Sequence, residues 1–164
     1  MTQTKSKVPT QTWGERLDDA IAEHAEKTRT SRKVVRAKDL VWQEDRMARS
    51  ALLVSDQTDV SLHTLHSFIA EMPAGASTGK HRHTSEAMMH ALSGRAYSIV
   101  DGERIDWEAG DTIIMPAMCW HQHFNASDTE PFRYLAATNY PLTVKMGIAL
   151  IETADIRSDL KKQS

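Results

Sequence analysis

From residue 34 to residue 152 the chain is broken into short apolar segments, with turn residues recurring about every ten positions. "KVVRA", "SALLVS", "TLHSFIAEM", "AMMHAL", "RAYSIVDGERIDW", "DTIIMP", "HQHFN", "FRYLAATN" and "VKMGIALIE" are bounded by Gly, Pro, Asp, Asn or Ser. No helix-length pattern lies between them, which argues against βαβ units. The "DGE" of residues 101 to 103, between "AYSIV" and "RIDW", is a hairpin signal. A succession of this kind is expected to form a closed antiparallel barrel or a double-sheet jelly roll. The fold class is all-β.

The flanks read differently. Residues 1 to 11 are polar and expected to be loose. From Thr12, a plausible N-cap, Trp13, Leu17, Ile21 and Ala25 recur every four residues, the period of an amphipathic helix. Its Trp13 stripe is expected to lie against the body of its own domain, the other choice being a partner subunit. The tail "ADIRSDLKKQS" reads as a short helix or a frayed end. The chain thus divides into a tail and helix over 1–33, a barrel over 34–152 and a C-terminal tail over 153–164.

With 164 residues the chain is about one domain long. A net charge of -2 gives no electrostatic case for nucleic acid or an acidic membrane surface. No apolar run approaches the roughly 20 residues of a membrane span, and the first residues lack a signal-peptide core. The lone Cys119 excludes an internal disulfide framework. A cytoplasmic setting is therefore expected.

Eight histidines are present: His24, His63, His66, His81, His83, His90, His121 and His123. Two pairs, His81/His83 and His121/His123, are spaced i, i+2, which in a strand puts both rings on one face. One such pair is weak evidence, since histidines are commonly core or surface residues. Two pairs on separate strands of one small barrel argue for a shared metal site. His24 is expected at the surface, and His63 and His90 in structural roles.

The spacing is more specific than the pairs. Gly75 precedes His81-Arg82-His83 by five intervening residues; Gly110 is followed by Pro116, His121 and Asn125. These stretches resemble the two motifs of the cupin superfamily, over roughly residues 34 to 152. The resemblance implies a jelly-roll β-barrel whose two first-motif histidines and one second-motif histidine bind a divalent metal. By position those are His81, His83 and His121. The family's fourth ligand, a glutamate, falls four residues after the second histidine, and that position is Ala87. Glu86, three residues on, has the wrong parity for a regular strand and is expected at the surface or beside the ligands without reaching the metal; a bulge at Thr84-Ser85 would reverse this.

"HRHTSEAMMHALSG" and "CWHQHFN" resemble the gentisate and related 1,2-dioxygenases, three-histidine cupins with alanine at the glutamate position. The resemblance implies Fe(II), with Ni, Mn, Cu or Zn as other divalent choices, and a dioxygenase that cleaves a C–C bond with O₂. Neutral imidazoles leave the metal its full charge, which favours an anionic chelating substrate such as an aromatic hydroxy acid, a catecholate or a β-diketone enolate. His123, on the face of His121, is expected to act as an acid–base or hydrogen-bonding group, or else to be a buried structural histidine. His66, Phe68, Ala87, Met89, Met115 and Met118 are expected to line the substrate pocket. These gentisate-type enzymes carry arginine where Met89 stands, which counts against gentisate itself; Arg133 is another cation for a substrate carboxylate. Met118 replaces the second motif's glycine, and Cys119 is expected to be inert packing. Two other readings remain: a non-redox isomerase, lyase or cyclase using the metal as a Lewis acid, and a non-catalytic small-molecule binder. A homodimer is expected, since jelly-roll edges are commonly covered by another subunit.

Overall fold

The structure, a computed structural model, describes residues 10–44 and 48–158. Helix α1 (Trp13–Thr30) comes first, then a 3₁₀ turn (Ala37–Asp39) and strands β1 (Trp42–Glu44), β2 (Arg49–Val54), β3 (His66–Met72), β4 (His81–His83) and β5 (Ala87–Ser93). Strands β6 (Arg95–Val100), β7 (Glu103–Glu108), β8 (Thr112–Met115), β9 (His121–Asn125) and β10 (Phe132–Thr138) follow. Helix α2 (Tyr140–Lys145) and β11 (Ile151–Thr153) end the order.

The strands form two antiparallel sheets, ordered β1-β2-β3-β10-β5-β8 and β11-β4-β9-β6-β7. This is a double-sheet jelly roll rather than a closed barrel. Period-two alternation sets the inner face. In β10, Phe132, Tyr134 and Ala136 are buried while Arg133 is exposed; in β5, Met89 and Ala91 are buried while Met88 and Leu92 are exposed. Trp107, Phe132 and Tyr134 form an aromatic cluster in the core, Trp107 and Phe132 meeting edge to face at 4.9 Å. The β6–β7 hairpin turns at Asp101 and Gly102, with φ of 47° and 90°. Two consecutive left-handed residues are what a two-residue turn of this hand requires. Gly94 (φ 83°) joins β5 to β6, and a Cβ there would stand 3.0 Å from the Pro131 carbonyl oxygen.

Three expectations are corrected. "KVVRA" forms no strand; Val34 is exposed and the chain goes into the 3₁₀ turn. "VKMGIALIE" is not one strand: Pro141 in the first turn of α2 favours a helix, Gly147 at φ 72° ends it, and only Ile151–Thr153 is extended. Helix α1 has the expected N-cap: Thr12 Oγ1 accepts from the Glu15 amide, and Glu15 returns a bond to the Thr12 amide. Its apolar stripe, however, is not packed on the domain, and Trp13 is 73% exposed. The C-terminal segment is tied down through residue 158, where Ser158 exchanges hydrogen bonds with Ser77. Expectations for residues 1–9 and 159–164 lie outside the described residues.

Candidate metal centre

Strands β4 and β9 pair with His81 opposite His121, which puts the first histidine pair beside the second. The result is a cluster of His81, His83 and His121, one ring nitrogen of each lying within 4.8 Å of the others. Ring centroids are 4.2 Å apart for His81–His121 and 5.0 Å for His83–His121.

Each ring is oriented by a backbone carbonyl two residues away. His81 Nδ1 lies 2.9 Å from the Gly79 oxygen, His83 Nδ1 2.7 Å from that of Ser85, and His121 Nδ1 3.0 Å from that of Cys119. A carbonyl only accepts, so each Nδ1 carries the proton and each Nε2 keeps its lone pair. The Nε2 atoms of His81 and His121 then face one another at 3.1 Å. Two lone pairs at that range repel unless a cation lies between them. A metal about 2.1 Å from two nitrogens at a right angle would hold them roughly 3.0 Å apart. The donor set therefore fits a divalent metal, with the outer nitrogens fixing the tautomer as metal-binding histidines require.

The strand breaks between His83 and Ala87, yet the face assignment survives. Ala87 lines the same cavity as the three imidazoles. Glu86 is exposed and accepts a hydrogen bond from Asn139 Nδ2 at 3.1 Å. Among the described residues no carboxylate joins the cluster.

Comparison with known proteins agrees with this geometry: residues 68–138 match the cupin domain family. That match spans less than half of the chain, so the likeness is to a cupin domain over this stretch. A 1-hydroxy-2-naphthoate 1,2-dioxygenase of a Nocardioides species is 32% identical over 46% of this chain and 20% of its own length. A gentisate 1,2-dioxygenase of a Ralstonia species is 37% identical over 40% of this chain and 19% of its own. The chain thus aligns with about a fifth of these relatives' length. Among solved structures, a salicylate 1,2-dioxygenase variant from Pseudoaminobacter salicylatoxidans in complex with gentisate shares the fold, with a TM-score of 0.63 and 17% identity. That match covers 96% of this chain and 51% of the other.

The cavity above the imidazoles has a volume of about 790 Å³. His66, Phe68, Ala87, Met89, Met115 and His123 line it, as the alternation of their strands requires. Met118 does not. It sits in the loop before β9 at φ 64°, where the family motif has glycine, and its amide donates to the His83 carbonyl. Arg133 is not in the lining either; it pairs with Glu71 on the outer face of β10. His90 points away and bonds Thr112 Oγ1. Cys119 is buried, its Sγ donating to the Pro116 carbonyl, and burial pushes its thiol up.

Several lining residues had no signal in the motifs. Tyr134, Ala136 and Thr138 come from β10, where alternation from the cavity-facing side would have found them. His63, expected to be structural, is in the lining too, and so are Lys27 of α1 and Lys145 of α2, whose positions depend on the docking of helices outside the sheets.

His123 is buried, with Nδ1 2.8 Å from Ser98 Oγ on the neighbouring strand. Burial above all, and then the imidazoles beside it, hold its proton affinity well below the ordinary histidine range. Burial and the His81 ring push His121 down to about 3, and burial lowers His81. Such rings bind fewer protons folded than unfolded, where histidine titrates near about 6.5. Their stabilising contribution is present above that pH and lost as pH falls toward the folded values. The melting temperature of the metal-free protein is expected to fall steadily between about pH 7 and pH 4. A flat profile in a thermal scan would show that the rings take up protons without leaving their sites.

Proposed function

We propose that the protein is an Fe(II)-dependent dioxygenase that cleaves a C–C bond of a chelating aromatic hydroxy acid or related enolic anion, both atoms of O₂ entering the product. What carries the reading is the ligand set: three neutral imidazoles, with Ala87 where a carboxylate would otherwise stand. The names of the aligned relatives, 1,2-dioxygenases of hydroxynaphthoate and gentisate, support the substrate class.

His81, His83 and His121 would hold iron through Nε2. The metal, when bound, supplies a Lewis acid for the chelating anion and electrons for O₂. Ala87 contributes no charge and leaves room beside the ligands. Phe68, Met89 and Met115 exclude water around the ring and adapt to its shape. His123, kept neutral by its burial and held through Nδ1 by Ser98, lines the cavity and offers a hydrogen bond to the bound substrate. A homodimer belongs to the same proposal, supported by the uncovered α1 stripe and by β11 standing at a sheet edge.

The test is O₂ uptake by anaerobically Fe(II)-loaded protein against gentisate, salicylate, hydroxynaphthoates, catechols and β-diketones. Uptake with one class, abolished in His121→Ala, supports the proposal. Metal-loaded protein that consumes no O₂ with any of them would move the assignment to non-redox chemistry or to a binding role. Ala87→Glu gives a second check. A carboxylate at that position is expected to tighten metal binding about tenfold or more and to lower O₂ uptake, since the enzyme rather than the substrate then neutralises the ion. Unchanged uptake in that variant would sink the charge argument.

A further inference from the structure

The cavity reaches a second group of nitrogen-bearing side chains that the proposed reaction does not use. Lys27 near the end of α1, His63 in the segment before β3 and Lys145 at the end of α2 all line it. His24, one turn before Lys27, has its ring 5.2 Å from that of His63. Three separate parts of the chain therefore bring basic groups to one place.

Two observations say that this group is incomplete. Among the described residues neither lysine has an ion-pair partner, whereas the arginines of the outer strands do. His63 Nε2 is shut off from solvent and has no hydrogen-bond partner, although buried polar nitrogens are nearly always bonded. The one acid in the lining, Asp56, acts on His66 rather than on His63. Lys27, His24 and Lys145 all act on His63, adding to the effect of its burial in holding that ring below its ordinary range. Unopposed ammonium groups beside an unpartnered imidazole are the complement of a carboxylate, which accepts from all of them.

The size of the cavity agrees. Small-molecule sites run from roughly 300 to 1,000 Å³, and about 790 Å³ is more than a single hydroxybenzoate ring fills. Apolar side chains such as Val60, Leu62, Leu65 and Val144 make up much of the remaining lining. They suit an aromatic or aliphatic spacer.

We propose that His24, Lys27, His63 and Lys145 form a carboxylate-binding subsite, and that the ligand is an extended dianion with a chelating group on the three imidazoles and a second carboxylate on the lysines. Only the chelating end of this ligand rests on the function proposed above.

The test uses the Zn(II)-loaded 164-residue chain, Zn(II) being redox-silent, and two probes. One is 4-hydroxybiphenyl-3,4'-dicarboxylate; the other is the same molecule with its 4'-carboxylate as the primary amide. Calorimetry gives the affinities, and histidine-ring ¹H–¹⁵N spectra report His63 separately from His81 and His121. The diacid is expected to bind at least about tenfold tighter than the amide and to shift the His63 signals, which the amide leaves in place. Lys27→Met/Lys145→Met should remove the difference without weakening the amide, and Lys27→Arg/Lys145→Arg should restore it. Both lysines are exposed at helix ends, so the variants should fold, which circular dichroism checks. Equal affinity of the two probes, or His63 signals indifferent to the diacid, would overturn the subsite. A His63 response with no change at His81 and His121 would leave the subsite standing and overturn the chelation reading instead.

Discussion

Replacing His121 with alanine is expected to lower affinity for a divalent metal by about two to three orders of magnitude, since each of several ligands contributes roughly 3–4 kcal/mol. The expectation follows from its place. His121 is the buried member of the cluster, and its ring contacts both others. Without it, His81 and His83 remain as two half-buried imidazoles on one short strand, too few to displace the hydration shell of a metal. The fold should survive, because the β9 backbone still pairs with β6 along its whole length. Glu86→Ala is the control, as that side chain faces solvent and bonds Asn139, and its metal content should match the parent protein. Metal content after dialysis and competition with a chromophoric chelator measure both. Metal retained in a folded His121→Ala variant, or lost in Glu86→Ala, would show that the ligand set is assigned wrongly.

The largest loss of stability is expected at Phe132. Its side chain is fully buried, 4.9 Å from the Trp107 ring and 5.8 Å from Tyr134, and its Cα stands against Gly94. Phe132→Ala removes most of a ring from a place where neighbours on two sheets cannot close in. Such truncations cost about 3–5 kcal/mol, which for a chain of this length lowers the melting temperature by roughly 10 °C. Tyr134, freed on one side, lines the cavity and stands 6.1 Å from His123, so ligand affinity should fall as well. A thermal melt with a shift of only one or two degrees would mean that the cluster refills the space.

How much of this was legible in the sequence differs from element to element. β5 and β10 were readable because one face is buried and the other is not, so period two survives in their residue types. The "DGE" hairpin was readable because Asp101 and Gly102 accept left-handed backbone. The three-histidine cluster was readable because strand geometry converts the i, i+2 spacing directly into a shared face. Parity also separated Ala87 from Glu86, although the chain between His83 and Ala87 turns rather than running straight. What failed depended on longer-range packing. The apolar residues of "VKMGIALIE" resemble a strand, but Pro141 and Gly147 partition them between a helix, a turn and a short edge strand. The stripe of α1 has helical period in either surroundings, so periodicity could not tell a covered face from an open one. Lys27 and Lys145 look like ordinary surface lysines, and only the approach of two helices to one opening gives them a common address.

The three ligand rings take their orientation chiefly from peptide carbonyls belonging to their own loops: Gly79, Ser85 and Cys119. A main-chain acceptor is present whatever side chain the residue bears. The instructions for aiming the imidazoles are thus written in chain path and are largely independent of the residues that face the cavity. Changing a wall residue is therefore expected to alter the molecule admitted while the three imidazoles keep their aim.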